Sequence, residues 1–255
     1  DYETTVDAAG NWSVDVAGAD LAADTGFDVT VSSNDAAGNE VTSTGSSTHS
    51  VDEDAGITVS LADVNSANAG NAPISGTTTD VEANQTVNLT ITDQNGNTAT
   101  ATATVGADGS YETTADLSTL DDGNLSVTAT VADQAGNEAS ATDNDAVLDT
   151  AAEAGTVSVN NITADDVINA EEAGQTITVT GSATSADIAE GDSVAMTING
   201  TEYTTTVDEN GEWSVDVAGA DLAAGTGFDV VVSSSDEAGN EVTSTGSSTH
   251  SVDED

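Results

Sequence analysis

Apolar and polar residues alternate with a period of two through the second half of the chain. Ile177 and Val179 share one face of a segment, as do Val194, Met196 and Ile198 of the next. This alternation is typical of β-strands with one buried face. It predicts strands near residues 156–162, 175–183, 193–199, 201–207, 212–217, 227–235 and 241–251. Only residues 166–174 and 220–225 carry helical signals, each long enough for one or two turns.

Tight turns separate the predicted strands. Asn199 and Gly200 stand between "AMTI" and "TEYTTTV". This pair favours a two-residue hairpin, because a type I′ turn needs a positive φ at both central positions. The stretches "DENG" at 208–211 and "DEAGN" at 236–240 predict further tight turns. Seven short strands in about 100 residues favour an immunoglobulin-like Greek-key β-sandwich. We therefore expect an all-β chain of tandem sandwich domains.

The sequence contains a long internal repeat. Residues 2–54 and 203–255, offset by 201 positions, are identical at 45 of 53 positions. Between them lies a unit with the same turn signals but little identity, for example "ADQAGNEAS" at 132–140. We predict three units: the C-terminal half of one repeat at 1–51, a second type of repeat at 52–149 and a complete repeat at 150–255. The partner strands of 1–51 are expected upstream, so this segment should expose unpaired strand edges.

The charge balance limits the possible partners. The chain has 47 acidic residues, no Lys or Arg, and a formal net charge of -47. Nucleic acid is excluded as a partner, because its recognition rests on basic side chains. Anionic membrane surfaces would also be repelled, and no apolar run is long enough for membrane insertion. With no Cys, metal ligands would have to be oxygen atoms or His.

Acidic residues recur where one unit meets the next. The stretch "GSSTHSVDED" ends both copies of the repeat. In an immunoglobulin-like domain, the turn between the last two strands lies at the end where the chain enters, and the loop after the first strand lies at the end where it leaves. This topology gathers carboxylates at each junction. The candidate metal ligands are Asp52, Asp54, Asp63, Asn65, Asp133, Asn137, Asp149, Glu153, Asp165, Asp166, Glu171, Asp236, Asn240, Asp253 and Asp255.

Crowded carboxylates need a counter-charge, which this chain can take only from a cation. Oxygen ligands in flexible sets of six to eight suit Ca²⁺ better than Mg²⁺, so several Ca²⁺ ions are expected, mainly at the junctions. An alternative stays open at every position, because Asp, Asn and Gly are also ordinary turn formers that cap their own backbone. A further alternative is that the acidity serves only solubility at high salt.

Catalysis finds little support in the sequence. His49 and His250 are the only histidines and occupy the same repeat position. No Gly-x-Ser-x-Gly or His-Glu-x-x-His motif accompanies them. We therefore expect that this chain is not an enzyme. A module that binds a glycan or a protein through a loop is the alternative to a purely structural role.

Three stretches carry a resemblance to a known family: "TADDVINAEEAGQTITVTGSAT" at 163–184, "GEWSVDV" at 211–217 and "SDEAGNEVTST" at 235–245. They resemble the bacterial Ig-like repeats of giant repeats-in-toxin and biofilm-associated surface adhesins. The resemblance implies a calcium-stiffened extender that holds an adhesive domain away from the cell. It also implies an extracellular, cell-surface location after type I secretion. Neighbouring repeats would be its partners, and the array is expected to be a monomeric rod.

Overall fold

The computed structural model describes residues 1–253 and 255. The N-terminal segment has one short helix and one hairpin, in which the two strands pair antiparallel. Residues 1–17 form no strand, although the same residues of the second copy do. The elements are α1 (Gly18–Ala22), β1 (Gly26–Asn34) and β2 (Glu40–Thr48).

The middle unit contains eleven strands. They are β3 (Gly56–Ile57), β4 (Ser60–Leu61), β5 (Val64–Asn65), β6 (Ala72–Thr79), β7 (Thr86–Thr92), β8 (Thr98–Thr104), β9 (Ser110–Ala115), β10 (Gly123–Asn124), β11 (Ser126–Ala132), β12 (Glu138–Asp143) and β13 (Val147–Asp149). One sheet has the order β12-β11-β7-β8, and β6 pairs with β3, β4 and β9 in the other. A small third sheet joins β10, β13 and β5, and its β13–β5 pair is parallel. A 3-10 helix spans Ala69–Asn71.

The C-terminal unit repeats this plan. Its elements are β14 (Thr156–Val159), β15 (Val167–Asn169), a 3-10 helix (Glu172–Gly174), β16 (Thr176–Thr184), β17 (Ser193–Ile198), β18 (Thr201–Thr206), β19 (Glu212–Ala218), α2 (Gly219–Ala223), β20 (Gly227–Ser235), β21 (Glu241–Thr249) and β22 (Ser251–Asp253). One sheet has the order β14-β16-β19 and the other β18-β17-β20-β21. Between these two sheets, the chain crosses after β16, after β18 and after β19, as a Greek key requires.

Each of these two units encloses its own hydrophobic core. In the C-terminal unit, Val179 and Val217 from one sheet pack with Val194, Val230 and Val232 from the other, and all five are fully buried. A separate cluster fills the middle unit, between its own two sheets. The alternating apolar residues of the sequence therefore form the inner faces of sandwiches, which confirms the predicted all-β, immunoglobulin-like fold.

The predicted strands of the C-terminal unit agree with the structure to within one to three residues. Asn199 and Gly200 have φ angles of 50° and 80°, as the hairpin prediction requires. The prediction for the segment 166–174 is wrong: it forms β15 and a 3-10 helix, and not a helix of one or two turns. β15 and β22 pair in parallel over three residues each. This pairing places the outgoing chain beside the loop that follows the first strand.

The two copies of the repeat differ in burial although their sequences nearly match. Trp12 is 44% exposed and its counterpart Trp213 is 3% exposed. Phe27 and Phe228 differ in the same way, at 43% and 7%. In the complete copy these residues pack beneath β16 and β17, which have no counterparts in residues 1–51. The segment therefore forms two strands, whereas its sequence predicts the last four strands of a domain.

Backbone amides of β1 and β2 should exchange with solvent at least about 100-fold faster than those of β20 and β21, because only the second hairpin covers a packed core. Hydrogen exchange followed by mass spectrometry measures both hairpins in one sample. The near-identical sequences serve as matched controls for intrinsic exchange. Equal protection of the two hairpins would contradict the open-face structure of the first segment.

Gly181 lies where a side chain cannot fit. A Cβ at this position would overlap the ring of Trp213 and the carbonyl oxygen of Ser158. We expect Gly181→Ala to lower the free energy of unfolding by about 1–3 kcal/mol, the usual cost of overpacking a core. Gly225→Ala is the control, since a Cβ there meets nothing within 4 Å. Thermal or urea unfolding that gave both variants the same stability would refute the packing argument.

Candidate functional site

One turn, with the sequence Asp-x-x-Gly-Asn, occurs at four hairpins of the structure. In the turn of Asp236 and Asn240, the Asn240 backbone N–H donates to Asp236 Oδ1 at 2.8 Å and its Nδ2 donates to Asp236 Oδ2 at 2.7 Å. The same two bonds form in each of the other turns. The other three turns lie at 35–39, 93–97 and 133–137. The Asp therefore caps its own turn at every one of these places.

At the junction between the middle and C-terminal units, Asn240 connects the turn to the incoming chain. Its Nδ2 donates to the carbonyl oxygen of Asp149 at 2.8 Å and lies 3.4 Å from Asp149 Oδ1. Asp236 Oδ2 binds the same nitrogen. Two carboxylates and a carbonyl thus converge on one amide group, and Asn240 is only 2% exposed.

The loop after the first strand pair of the middle unit completes this junction. Asn65 Nδ2 donates to the carbonyl oxygen of Ala238 at 2.8 Å. In the other direction, the Ser66 backbone N–H donates to Asn240 Oδ1 at 2.8 Å. The parallel pairing of Asn65 with Asp149 brings this loop beside the linker. Asn65, Asp149, Asp236 and Asn240 are therefore brought together as the topology predicts.

The preceding junction uses the equivalent turn. Asn137 Nδ2 donates to the carbonyl oxygen of Asp52 at 3.1 Å and to Asp133 Oδ2 at 2.7 Å. Asp133 is 5% exposed, whereas the Asp52 side chain points to solvent. Asp52, Asp133 and Asn137 therefore meet here through one carbonyl and one carboxylate. For Asp54, no hydrogen bond of its side chain joins this group within residues 1–253 and 255.

The outgoing end of the C-terminal unit has the same framework. Asn169 is paired in parallel with Asp253, as Asn65 is with Asp149. Asn169 Oδ1 accepts from the backbone N–H groups of Glu171 and Glu172 at 2.9 and 3.0 Å. The Asp166 carbonyl oxygen accepts from the Ser251 N–H at 3.0 Å, which ties the loop to the last strand.

The remaining predicted ligands lie near the junctions, but their hydrogen bonds are to groups other than the Asp-x-x-Gly-Asn turns. Asp63 accepts from the Val147 N–H, and Asp165 caps its own loop through Thr163 and Val167. Asp166 Oδ1 accepts from the Ile162 N–H. The Glu153 N–H donates to Asp187, away from the 236–240 turn. Glu171 and Asp255 contribute a backbone N–H each to the neighbouring Asn169 and Asp253.

Across residues 1–253 and 255, no group of three or more His, Cys, Asp and Glu side chains is close enough to hold a metal ion. The junctions offer at most two carboxylates, supplemented by carbonyl and amide oxygens. In the same part of the chain, no helix is long and apolar enough to cross a membrane. His250 is used structurally, because its Nε2 bonds to the carbonyl oxygen of Leu222 in α2.

Three contributors to the junctions were missed from the sequence. Ser66 and Ala238 act through their backbones, and nothing in their identity signals this. Asn169 could have been found, because "VINA" at 167–170 matches "VNS" at 64–66 in having an Asn directly after an apolar strand residue. A second acidic group, formed by Asp93 and Asp121 around Asn97, was also missed.

The hydrogen bonds of these turns lower the pKa of their carboxyl groups. For Asp236, the Asn240 side chain is the main cause, and backbone N–H groups add to it. Burial raises the pKa of Asp133, but the amide and backbone bonds from Asn137 and Gly136 outweigh it and the net shift is downward. In Asp93, bonds from Asp121 and then from the 95–97 segment lower the pKa to about 2. These groups therefore stay ionised at neutral pH.

The pKa of Asp93 predicts an acid-sensitive contribution to stability. Because the folded pKa is about 2 and an unfolded Asp has a pKa of about 3.9, the contribution is complete above about pH 4 and is lost as the pH falls towards 2. We expect Asp93→Asn to flatten the dependence of the unfolding free energy on pH in this window. Asp145→Asn, at an exposed position, is the control. Chemical unfolding between pH 2 and 5 would reject the assignment if wild type and Asp93→Asn had the same slope.

Comparison with known proteins identifies the family. A model of the bacterial Ig-like domain matches residues 68–150. A calcium-stabilised adhesin, with which an Antarctic bacterium reaches out and binds ice, is 54% identical over 99% of this chain, with a TM-score of 0.73. The chain spans 62% of that structure's length.

A second solved structure belongs to a 1.5-MDa bacterial ice-binding adhesin that is retained on the cell surface of its host. It is 42% identical over 96% of this chain and 81% of its own length, with a TM-score of 0.70. No curated protein matches the chain significantly. Both solved relatives are adhesins, a class of protein that attaches rather than catalyses. The chain belongs to the bacterial Ig-like repeats of large surface adhesins.

Proposed function

We propose that this chain is a calcium-stiffened spacer in a secreted, cell-surface adhesin that serves attachment or biofilm formation. One observation carries the proposal: the carboxylates of Asp149 and Asp236, from two successive units, converge on one amide nitrogen at their junction. The chain has no Lys or Arg with which to neutralise them. A structural role also agrees with the near-identity of the two repeat copies, because a spacer gains length by duplication.

Electrostatic repulsion would open such junctions in the absence of a cation. Two carboxylates about 4 Å apart repel by about 1–4 kcal/mol in environments between water and a protein surface. The formal charge of -47 adds a long-range repulsion along the chain. Each junction is therefore predicted to bend more freely when its carboxylates are not neutralised.

The donors at the junctions fit Ca²⁺. They are carboxylate and backbone carbonyl oxygens on turns and linkers, which Ca²⁺ accepts in flexible sets and Mg²⁺ accepts less readily. Asp149 and Asp236 would hold the ion at one junction, and Asp52 and Asp133 at the preceding one. The other predicted ligands stay predictions and would supplement these pairs or act at the outgoing end around Asp253.

The relatives support a wider setting for the chain. We propose that the chain is divided at residues 52 and 150 into a half repeat, a second type of repeat and a complete repeat. Adjacent repeats are its partners, and the array is a monomeric rod outside the cell, exported by type I secretion. The calcium-stabilised adhesin to which the chain is 54% identical supports this setting.

Calcium should lengthen and stabilise the chain. We expect the maximum dimension from small-angle X-ray scattering to increase from excess chelator to millimolar Ca²⁺. At a free concentration 100-fold above Kd, each occupied site adds about 2.7 kcal/mol to the free energy of unfolding. Asp149→Asn combined with Asp236→Asn should reduce both effects. Asp35→Asn is the matched control, because Asp35 caps the same turn in the first segment.

Identical scattering profiles with chelator and with Ca²⁺ would contradict the spacer mechanism. An equal response to Mg²⁺ would also contradict it, because general screening of charge does not distinguish the two ions.

A further inference from the structure

The Asp-x-x-Gly-Asn turn offers an internal comparison of the same Asn in three settings. Asn39, Asn137 and Asn240 all donate Nδ2 to the Asp of their own turn, at 2.9, 2.7 and 2.7 Å. Asn39 is exposed and binds nothing beyond its turn in the part of the chain that the structure describes. Asn137 is half-buried, and Asn240 is buried. The turn therefore forms without a neighbouring unit, and the additional bonds of Asn240 belong to docking.

Those additional bonds connect three segments of the chain. Asn240 Nδ2 reaches the Asp149 carbonyl in the linker, and Asn240 Oδ1 accepts from Ser66 in the preceding unit. In the opposite direction, Asn65 of the preceding unit donates its Nδ2 hydrogen to the Ala238 carbonyl oxygen within the turn. Two Asn side chains, one from each unit, thus each bind the backbone of the other unit.

The contact needs no counter-ion. Its donors and acceptors are amide and backbone groups, which carry no net charge, so it escapes the repulsion between the carboxylates around it. Both ends of the Asn240 amide are satisfied: its nitrogen faces oxygens and its oxygen faces an N–H group. Reversing the amide to present Oδ1 to a cation at Asp149 and Asp236 would break the bond to Ser66. In this arrangement both ends of the amide serve as hydrogen-bond partners at the junction.

We propose that Asn65 and Asn240 form a metal-independent clasp, through which the loop of one repeat recognises the Asp-x-x-Gly-Asn turn of the next. The clasp sets the docked orientation of the two units, and the cation then offsets the repulsion around it. The biological role of the clasp rests on the proposed spacer function. Asn169 supports the inference, because it holds the position of Asn65 on the outgoing end and is exposed.

The test measures the orientation of the two units in the intact chain. The protein has no Cys, so Thr102→Cys and Glu202→Cys place one spin label on an exposed strand position of each unit. Pulsed electron paramagnetic resonance then gives the distribution of distances between the labels. The measurements are made in excess chelator and repeated in millimolar Ca²⁺.

Three variants are compared with wild type. Asn65→Ser removes the donor to Ala238 without adding charge, and a Ser can still cap the loop. Asn240→Asp keeps the shape but replaces the donor to Asp149 and Asp236 with a carboxylate oxygen, so it also adds a negative charge. Asn39→Asp makes the same change in the turn that has no docked neighbour, and so controls for effects on the turn itself.

In chelator, wild type and Asn39→Asp should give the same distribution, with one main docked peak that Ca²⁺ narrows further. Asn65→Ser should raise the undocked fraction about fivefold, as the loss of one net hydrogen bond predicts. Asn240→Asp should raise it further, because its new carboxylate also repels Asp149. Distributions for Asn65→Ser and Asn240→Asp that match wild type in chelator would overturn the clasp, as would a wild-type distribution in chelator that has no docked peak.

The Ca²⁺ measurements separate the clasp from the proposed function. One outcome supports the clasp alone: the distance distributions of Asn65→Ser and Asn240→Asp differ from that of wild type in chelator, and Ca²⁺ narrows neither of them. The clasp then stands and the calcium mechanism fails. If Ca²⁺ narrows the distribution of every protein but all are alike in chelator, the calcium mechanism stands and the clasp is overturned.

Discussion

The absence of Lys and Arg is the constraint on which this structure depends. A chain with 47 acidic residues and no Lys or Arg can satisfy its carboxylates only with N–H and O–H groups or with cations from solution. The structure uses the first means within each unit. Asp236 and Asp133 bind Asn amides and turn backbone, and Asp221 accepts from the Tyr203 hydroxyl at 2.6 Å. Carboxylates thereby become caps that define turns, and Asp149 and Asp236 come together where two units meet.

The two copies of the repeat show that local sequence alone does not decide the structure. Residues 26–48 form the same hairpin as residues 227–249, because hairpin register is fixed by the turn, which the two copies share. Trp12 and Trp213 have near-identical flanking sequences, yet only Trp213 is buried. Its burial needs strands that are distant in sequence. The stability of each repeat is therefore a property of the complete sandwich.

The fold was predictable because its signals are local. Alternation in 193–198 and 201–206, with Asn199 and Gly200 between them, determines a hairpin almost by itself. The short parallel pair of β15 and β22 was not predictable, since three residues are too few for a periodic pattern and their pairing joins segments more than 80 residues apart. The sequence of 166–174 predicts a helix instead, because it contains Glu and Ala residues that favour helices in isolation.

The candidate site was predictable in its location but not in its bonding. Topology alone placed Asp149, Asp236 and Asn240 at one junction. Which end of the Asn240 amide faces the linker depends on the Ser66 N–H, which no side-chain pattern reveals. Sequence reasoning also treated each acidic residue as equivalent, whereas Asp63 and Asp165 are occupied by backbone groups of their own unit.

We propose that the crowded junction carboxylates bind Ca²⁺ specifically. Isothermal titration calorimetry of Ca²⁺ into the chelator-stripped chain, with Mg²⁺ titrated in parallel, tests it most directly. We predict at least one site for each of the two internal junctions, with Ca²⁺ bound much more tightly than Mg²⁺. Weak binding that is the same for both ions would contradict the account and would reduce the acidic clusters to turn caps and solvated surface.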